Sequence, residues 1–427
     1  FSTTSVGEFI EEAPYAYQII DGKEMAIPCN YILNGTTVGF EFPEGYDKKL
    51  ELAIDPILVG ATLSGSSAIN YGHCATYDFE ENIYTAARNF GIGYPTTDGS
   101  FQVDFGGFHD IAISKYIPDA TALIYATYLG GTGIDYPNSI VANQDNELYV
   151  LATSASFDFP ISDDAFSGVG SGTKLIVTHF AEDGTDIIGS TYIGGSGTDG
   201  LNEMTDNTGD GSRGEIIVDE DGNCYVASCT NSTDFPTTPG AYQEDFGGGI
   251  QDAIVFSMSP DLSALNWSTY IGGASGEGGF GLHLDADNNL YVAGVASDEF
   301  IPMLGYQTSY QGGLRDGFVV KLIDDGATIE YSSYWGTTDK DAAFALDLDV
   351  DGNVYLYGQS NGGASIVTPD VYSNAGSHQF ICELSPNLED LLLGTVIGAG
   401  GADFIPLAFM VDECGFIYFS GHEAEGE

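Results

Sequence analysis

Leu282–Gly294 reads LHLDADNNLYVAG. Apolar and polar residues alternate as far as Asp287-Asn288-Asn289 and alternate again beyond it, the pattern of two half-buried antiparallel strands joined by a tight hairpin. Related phrases place a tyrosine at positions 84, 149, 225, 291, 355 and 418, in steps of 65, 76, 66, 64 and 63 residues. A fixed period outranks any single motif in deciding a fold.

Each period carries three further phrases. A Thr-Tyr-x-Gly-Gly strand appears as YATYLGG at 125–131 and as STYIGG at 190–195 and 268–273, with degenerate forms at 332–336 and 394–398 and a weak copy, ATLSG, at 61–65. An aromatic-proline turn followed by an aromatic appears as FPISDDAFS from Phe159 and FPTTPGAYQ from Phe235. A glycine-led strand appears as FGGFHDIAISKY, FGGGIQDAIVFSM and QGGLRDGFVVKL. Two hairpins per unit give four antiparallel strands, the grammar of a β-propeller blade, with a stacked solenoid as the rival. The long step carries an insertion, LNEMTDNTGDGSRGE at 201–215, which belongs on a loop face.

The expected fold is therefore all-β: a propeller over 57–427, with six repeats visible, preceded by a small β segment over 1–56 that reads as the tail of another domain. The pair of strands at about Leu50–Ser64 lacks its first hairpin, and the hairpin at about Leu407–Gly421 lacks its second. Joined, they would make a composite sixth blade and remove both open edges, with a seventh blade if the natural chain continues. The chain starts at Phe1 and stops inside a repeat, so it reads as a processed or truncated piece.

Ten Lys and Arg stand against 63 Asp and Glu, a net charge of −53. Such a surface disfavours nucleic acid and anionic lipid, and it favours cations or a basic partner. Solubility of a strand-rich surface is the plainer use of that charge. No apolar run is long enough to span a membrane. Six cysteines, with no CxxC and no zinc spacing, are expected to be buried thiols; Cys224 and Cys229 should point to opposite faces of one strand.

In combination the phrases resemble the bacterial β-propeller repeat abbreviated SBBP; the third unit, STYIGG, VDEDGNCYVAS, DFPTTPGAYQ and GGGIQDAIVFSM in order, matches nearly phrase for phrase. The leader, PYAYQIIDGKEMAIPCNYIL, is similar to the end of the domain that commonly precedes such propellers. The resemblance implies a secreted or surface protein of Bacteroidota-like bacteria, of the kind that accompanies type IX secretion, gliding or adhesion. It brings a scaffold and no transferable active residues.

Candidate sites follow from the acids. Asp219, Asp221 and Asn223 alternate, as do Asp285, Asp287 and Asn289, and Asp347, Asp349 and Asp351. Oxygen ligands at such spacing suit calcium, the one cofactor to consider, but the EF-hand glutamate is missing and Asp-Gly or Asn-Asn is also what a type I′ turn demands; the turn reading is the stronger. Asp110, Asp252 and Asp316 each follow a Gly-Gly pair and could ring a channel or merely bond their own loops. Ser259–Trp267 superficially resembles a sialidase aspartate box, yet it is out of register and the chain is poor in arginine. The six histidines are scattered, and no nucleophile elbow is convincing. Phe235 and Tyr242 would stack on sugars or, more simply, pin their loop to its blade.

The expected function is a non-enzymatic extracellular module of an adhesin, appendage or motility-associated protein, giving rigidity and a protein or glycan contact surface to a larger assembly. The alternative is a propeller lyase or glycosidase, to be recognised by carboxylates converging in a channel with raised pKa values. Any chemistry should sit where the copies differ, as in the 201–215 insertion.

Overall fold

A computed structural model describes residues 2–423, apart from 5–6, 10–13, 21–22, 35–36, 51, 56–61, 169, 171, 205–209, 301–303, 363–365, 375, 399–403 and 413–414. The chain divides into two compact units, Phe1–Thr62 and Leu63–Glu427. In the first, β1 (Ser2–Thr4) pairs with β2 (Gly7–Phe9). A three-stranded sheet runs in the order β4 (Lys23–Ile27), β3 (Tyr15–Ile20), β7 (Ala53–Asp55), and β5 (Asn30–Asn34) pairs with β6 (Thr37–Glu41).

The second unit is a β-propeller. Its five complete blades are antiparallel meanders. Blade 1 holds β8 (Asn70–Tyr77), β9 (Ile83–Asn89), β10 (Asp110–Tyr116) and β11 (Leu123–Leu129). Blade 2 holds β12 (Asp135–Ala142), β13 (Leu148–Ser154), β14 (Lys174–Phe180) and β15 (Ile187–Ile193). Blade 3 holds β16 (Glu215–Val218), β17 (Cys224–Thr230), β18 (Asp252–Met258) and β19 (Leu265–Ile271). Blade 4 holds β20 (Glu277–Leu284), β21 (Leu290–Ala296), β22 (Asp316–Ile323) and β23 (Thr328–Trp335). Blade 5 holds β24 (Asp341–Leu348), β25 (Val354–Ser360), β26 (Gln379–Leu384) and β27 (Leu391–Ile397). The first strands of successive blades pack on one another from β8 to β24, and on to β28 (Phe404–Val411), which pairs with β29 (Ile417–Glu423).

The expected composite blade is not formed by the described residues. β7 is taken by the leader sheet, Thr62–Ser66 form no strand, and β28 and β29 stand as a two-stranded sheet; residues 56–61 lie outside the described part. Competition explains the outcome, because pairing with β3 satisfies the backbone of Ala53–Asp55 locally.

The hairpin at the centre of the period also differs from expectation. Asp285 N–H bonds Asn289 O at 2.9 Å and Asn288 N–H bonds Asp285 O at 2.9 Å, so the loop has three residues and not two. Asn288 takes the left-handed conformation at φ 61, as Gly222 and Gly352 do at 83 and 80 in the sibling turns. This is a type I turn closed by one left-handed residue, which places Asn or Gly there for the same reason a type I′ turn would.

The core lies between blades. One cluster joins Ala227, Val255 and Ile271 of blade 3 to Leu290, Val292 and Phe318 of blade 4, and similar clusters join blades 1 and 2, 2 and 3, and 4 and 5. Both faces of each sheet are thereby buried, which explains the nearly continuous apolar strands such as β14 and β18. The signature tyrosine is a strut across that core: Tyr84 OH donates to Asn146 O at 2.8 Å, Tyr149 OH to Gly222 O at 2.9 Å and Tyr291 OH to Pro386 O at 2.8 Å, each in the next blade.

The aromatic-proline loop is pinned at both ends. Phe235 is buried, its N–H bonds Tyr270 OH at 2.9 Å, and that hydroxyl donates to Ser232 O at 2.7 Å. The second aromatic reaches the following blade, where Tyr242 N–H bonds Gly326 O at 3.1 Å. Phe235 is buried and Tyr242 packs on the core between blades 3 and 4, so both side chains pin the loop.

Candidate functional site: axial cluster and blade junctions

The hairpin acids do not converge on a common point. Asp219 Oδ1 accepts from Asp221 N–H at 3.0 Å and Asn223 N–H at 2.8 Å, while Oδ2 accepts from Asn223 Nδ2 and Tyr225 OH, both at 3.0 Å. Asp285 repeats this with Asp287 and Asn289 and adds Lys321 Nζ at 3.0 Å. Asp349 does so with Asp351 and Asn353. Asp221, Asp287 and Asp351 are exposed. Among the described residues no three His, Cys, Asp or Glu side chains come together as a metal cluster. Each set works on its own turn as a side-chain cap of backbone amides. Asp261, from the stretch resembling an aspartate box, likewise caps Ser263 N–H at 3.1 Å.

Two other constellations are assembled by the fold. The first lies along the inner strands of blades 3 to 5, where the insertion enters. Met204 packs with Phe280 and Phe344, and Arg213 lies 3.8 Å over the Phe344 ring and donates to Pro406 O at 3.2 Å. The same segment delivers Glu215, whose Oε2 accepts from Leu282 N–H at 2.6 Å. Beside it, His283 Nε2 meets Asp347 Oδ1 at 3.1 Å and Nδ1 meets Leu284 O at 2.7 Å. Both partners are acceptors, so the ring donates from both nitrogens and is an imidazolium. Burial opposes that charge, but the bond and charge of Asp347 outweigh it and hold His283 above its ordinary value. Asp347 Oδ2 accepts from Val411 N–H at 2.7 Å. Burial pushes the Glu215 carboxyl up to about 7, against the Leu282 amide and the His283 charge. His283 keeps 38% side-chain exposure, so this acid–base group is reachable.

The second constellation recurs at the blade junctions. Asp110, Asp252 and Asp316 are fully buried at the heads of β10, β18 and β22. One oxygen of each caps its own loop: Asp110 accepts from Gly106 N–H at 2.6 Å, Asp252 from Gly247 N–H at 2.6 Å and Asp316 from Gln311 N–H at 2.5 Å. Each Oδ1 has no hydrogen-bond partner. Burial raises Asp110 and Asp252 to about 6 and Asp316 to about 7. Next to each lies an acid that opens the following blade: Asp135, Glu277 and Asp341. Burial raises these also, Glu277 to about 7. They are not a ring about the axis but pairs between neighbouring blades.

The junction of blades 2 and 3 is different, because Lys174 heads β14 where β10, β18 and β22 begin with Asp; β26 begins with Gln379. Its Nζ bonds Asp199 Oδ2 at 2.9 Å, Gly197 O at 2.6 Å and Thr173 O at 3.1 Å. The other Asp199 oxygen accepts from Thr230 and Ser232 hydroxyls.

Asp135, Asp199 and Glu277 stand in the sequence as an acid after the Gly-Gly phrase, in GGTGID, GGSGTD and GGASGE, while Asp341 closes the degenerate WGTTDKD. Each partner heads a strand two phrases earlier, which local pattern does not connect. Glu215 closes the insertion, whereas His283 lies in the repeated hairpin at a position that the sibling hairpins fill with other residues. Cys29, Cys74, Cys224, Cys229 and Cys382 are free thiols, and Cys414 lies outside the described residues.

A family model described as a domain of unknown function, DUF7948, matches residues 2–57, the leader segment. No match was found among curated proteins. A Dyadobacter fermentans protein of unknown function is similar in structure at 12% identity, covering 81% of this chain and 87% of its own, with a TM-score of 0.40. The propeller domain of the trilobed protease of Pyrococcus furiosus gives 10% identity, 84% and 79% coverage and 0.39. NanB sialidase of Streptococcus pneumoniae gives 9% identity, 85% and 67% coverage and 0.46. Others are a gluconolactonase of Xanthomonas campestris, an ulvan lyase and a family-43 glycoside hydrolase. The expectation that this propeller is not an enzyme is thereby overturned, since most of these relatives in fold are enzymes; at such identities they assign no activity to this chain. Neither the SBBP repeat nor a bacterial source follows from them. Among the described residues no helix is long and apolar enough to cross a membrane.

Proposed function

We propose that the chain is the propeller module of a secreted or cell-surface protein of the adhesin, appendage or motility class, and that its working site is the axial cluster of Glu215, His283 and Asp347. The cluster takes an uncharged or cationic segment of a glycan. The observation that supports this most is the insertion, which breaks the period and carries Met204, Arg213 and Glu215 against residues of other blades. The net charge of −53 repels anionic polymers, and the carboxyls of Glu215 and Asp347 keep lone pairs for hydroxyl or amino groups. Calorimetric titration with neutral and amino-sugar oligosaccharides tests it: Glu215→Gln and His283→Ala should each weaken binding about tenfold, a loss of about 1.4 kcal/mol. Binding unchanged in both variants removes the cluster from the site.

A second reading, proton transfer on a polysaccharide, is favoured by the Glu215 carboxyl standing near 7 beside the partly exposed His283. If Glu215 is a general acid, release of reducing ends should fall as pH rises through about 7 and vanish in Glu215→Gln. Turnover that is independent of Glu215 excludes it.

A further inference from the structure

The blade junctions carry a site that the function proposed above does not use. We propose that a hard divalent cation of the calcium class is held between the paired carboxylates of Asp110 and Asp135, of Asp252 and Glu277, and of Asp316 and Asp341, in the place that the Lys174 ammonium fills at the remaining junction.

The argument begins with unmet valence. At the junction of blades 3 and 4, Asp252 Oδ1 and Glu277 Oε1 are buried without a donor; at that of blades 4 and 5, Asp316 Oδ1 and Asp341 Oδ1 are. These residues are between 0% and 1% exposed, so bulk water does not supply what is missing. At the junction of blades 1 and 2 the bare oxygen is Asp110 Oδ1. It aims at a definite point: a Cβ placed on Gly130 would lie 3.0 Å from Asp110 Oδ1 and 2.8 Å from Asp135 Oδ2. The two carboxyls thus close on one point of the backbone, a cradle that glycine keeps free of any side chain. The glycine belongs to the Gly-Gly phrase, and its counterpart Gly336 points in the same way at Asp316 Oδ1, 2.4 Å from its Cβ position.

Lys174 shows what the cradle wants. Where it replaces Asp, the Nζ is held by one carboxylate and two backbone carbonyls. Thr173 O accepts both that Nζ and Asp199 N–H, so a carbonyl at this position has a lone pair to give. The same position at the first junction is His109, whose carbonyl accepts Asp135 N–H at 3.0 Å. Charge closes likewise: lysine with aspartate is neutral, and two carboxylates become neutral with one divalent ion. A shortened side chain plus an ion fills the volume of the longer one. Two carboxylates completed by carbonyls, and not three acids, form the shell.

The test is calcium retained by the full chain after gel filtration at high salt, where the surface charge is screened, read by elemental mass spectrometry. About three equivalents per chain are expected, one per acid pair. Asp110→Lys and Asp252→Lys should each lower the count by one, because each copies the Lys174 arrangement. If a lysine variant fails to fold, Asp110→Asn and Asp252→Asn serve, with the same loss expected. Retention of no ion, or a count the variants leave unchanged, overturns the proposal; in the first case protons fill the pairs.

Discussion

The junctions of blades 2 and 3 and of blades 3 and 4 are written with the same phrases, yet their buried charges are settled in different ways. At the first, Lys174 and Asp199 form a salt bridge of 2.9 Å with every oxygen engaged. At the second, Asp252 and Glu277 stand together with one bare oxygen each. Packing is alike on both sides, since one cluster joins blades 2 and 3 and another joins blades 3 and 4. The difference shows that this repeat keeps a place for one cation between blades and that the chain supplies it from its own residues only once.

Breaking the internal cation should have the largest effect. Lys174→Met leaves Asp199 charged and buried, and a loss of about 3–5 kcal/mol is expected in urea unfolding. A smaller change would erase the contrast: Asp252→Lys should raise stability by about 1–3 kcal/mol at neutral pH in chelator, by supplying a charge partner. The turn networks offer a milder version of the same comparison. Lys321 meets Asp285 at 3.0 Å in blade 4, whereas Glu383 occupies the corresponding place beside Asn353 and Asp349 in blade 5, where burial raises its carboxyl. Glu383→Lys should gain about 0.5–1 kcal/mol by thermal melting. The smallest expected contrast is a control. Tyr149→Phe and Tyr291→Phe each remove one strut across a junction and should cost about 1 kcal/mol apiece. Equal losses at the Lys174 junction and at the Asp316–Asp341 junction of blades 4 and 5 place the difference in charge and not in packing.

How much of this could be read from residues alone follows from range. The hairpin at Leu282–Gly294 is local, so alternation and Asp-Asn chemistry were enough to place it, although the three-residue loop needed the structure. Asp110 was singled out because it recurs, but its partner Asp135 comes from the next blade, and a period aligns copies without saying which neighbours touch. Glu215 closes the insertion and His283 lies in the repeated hairpin, and they meet because the first strands of blades 3 and 4 pack together. Closure could not be settled from pattern either, since Ala53–Asp55 suits the leader sheet as well as a blade.

Stability against pH in the presence of a chelator tests the junction account most directly. The folded pKa values of Asp110, Asp252, Asp316 and Glu277 stand at about 6 to 7, above the ordinary carboxyl values of 3.8 and 4.5. The folded chain therefore binds more protons than the unfolded one in this interval. Their contribution is fully present below about pH 4 and is lost as pH rises through about 6 to 7. Calorimetric melts from about pH 5 to about pH 8 should show that decline in chelator and its disappearance with calcium added. A flat profile in chelator, or a decline that calcium leaves untouched, would contradict the account.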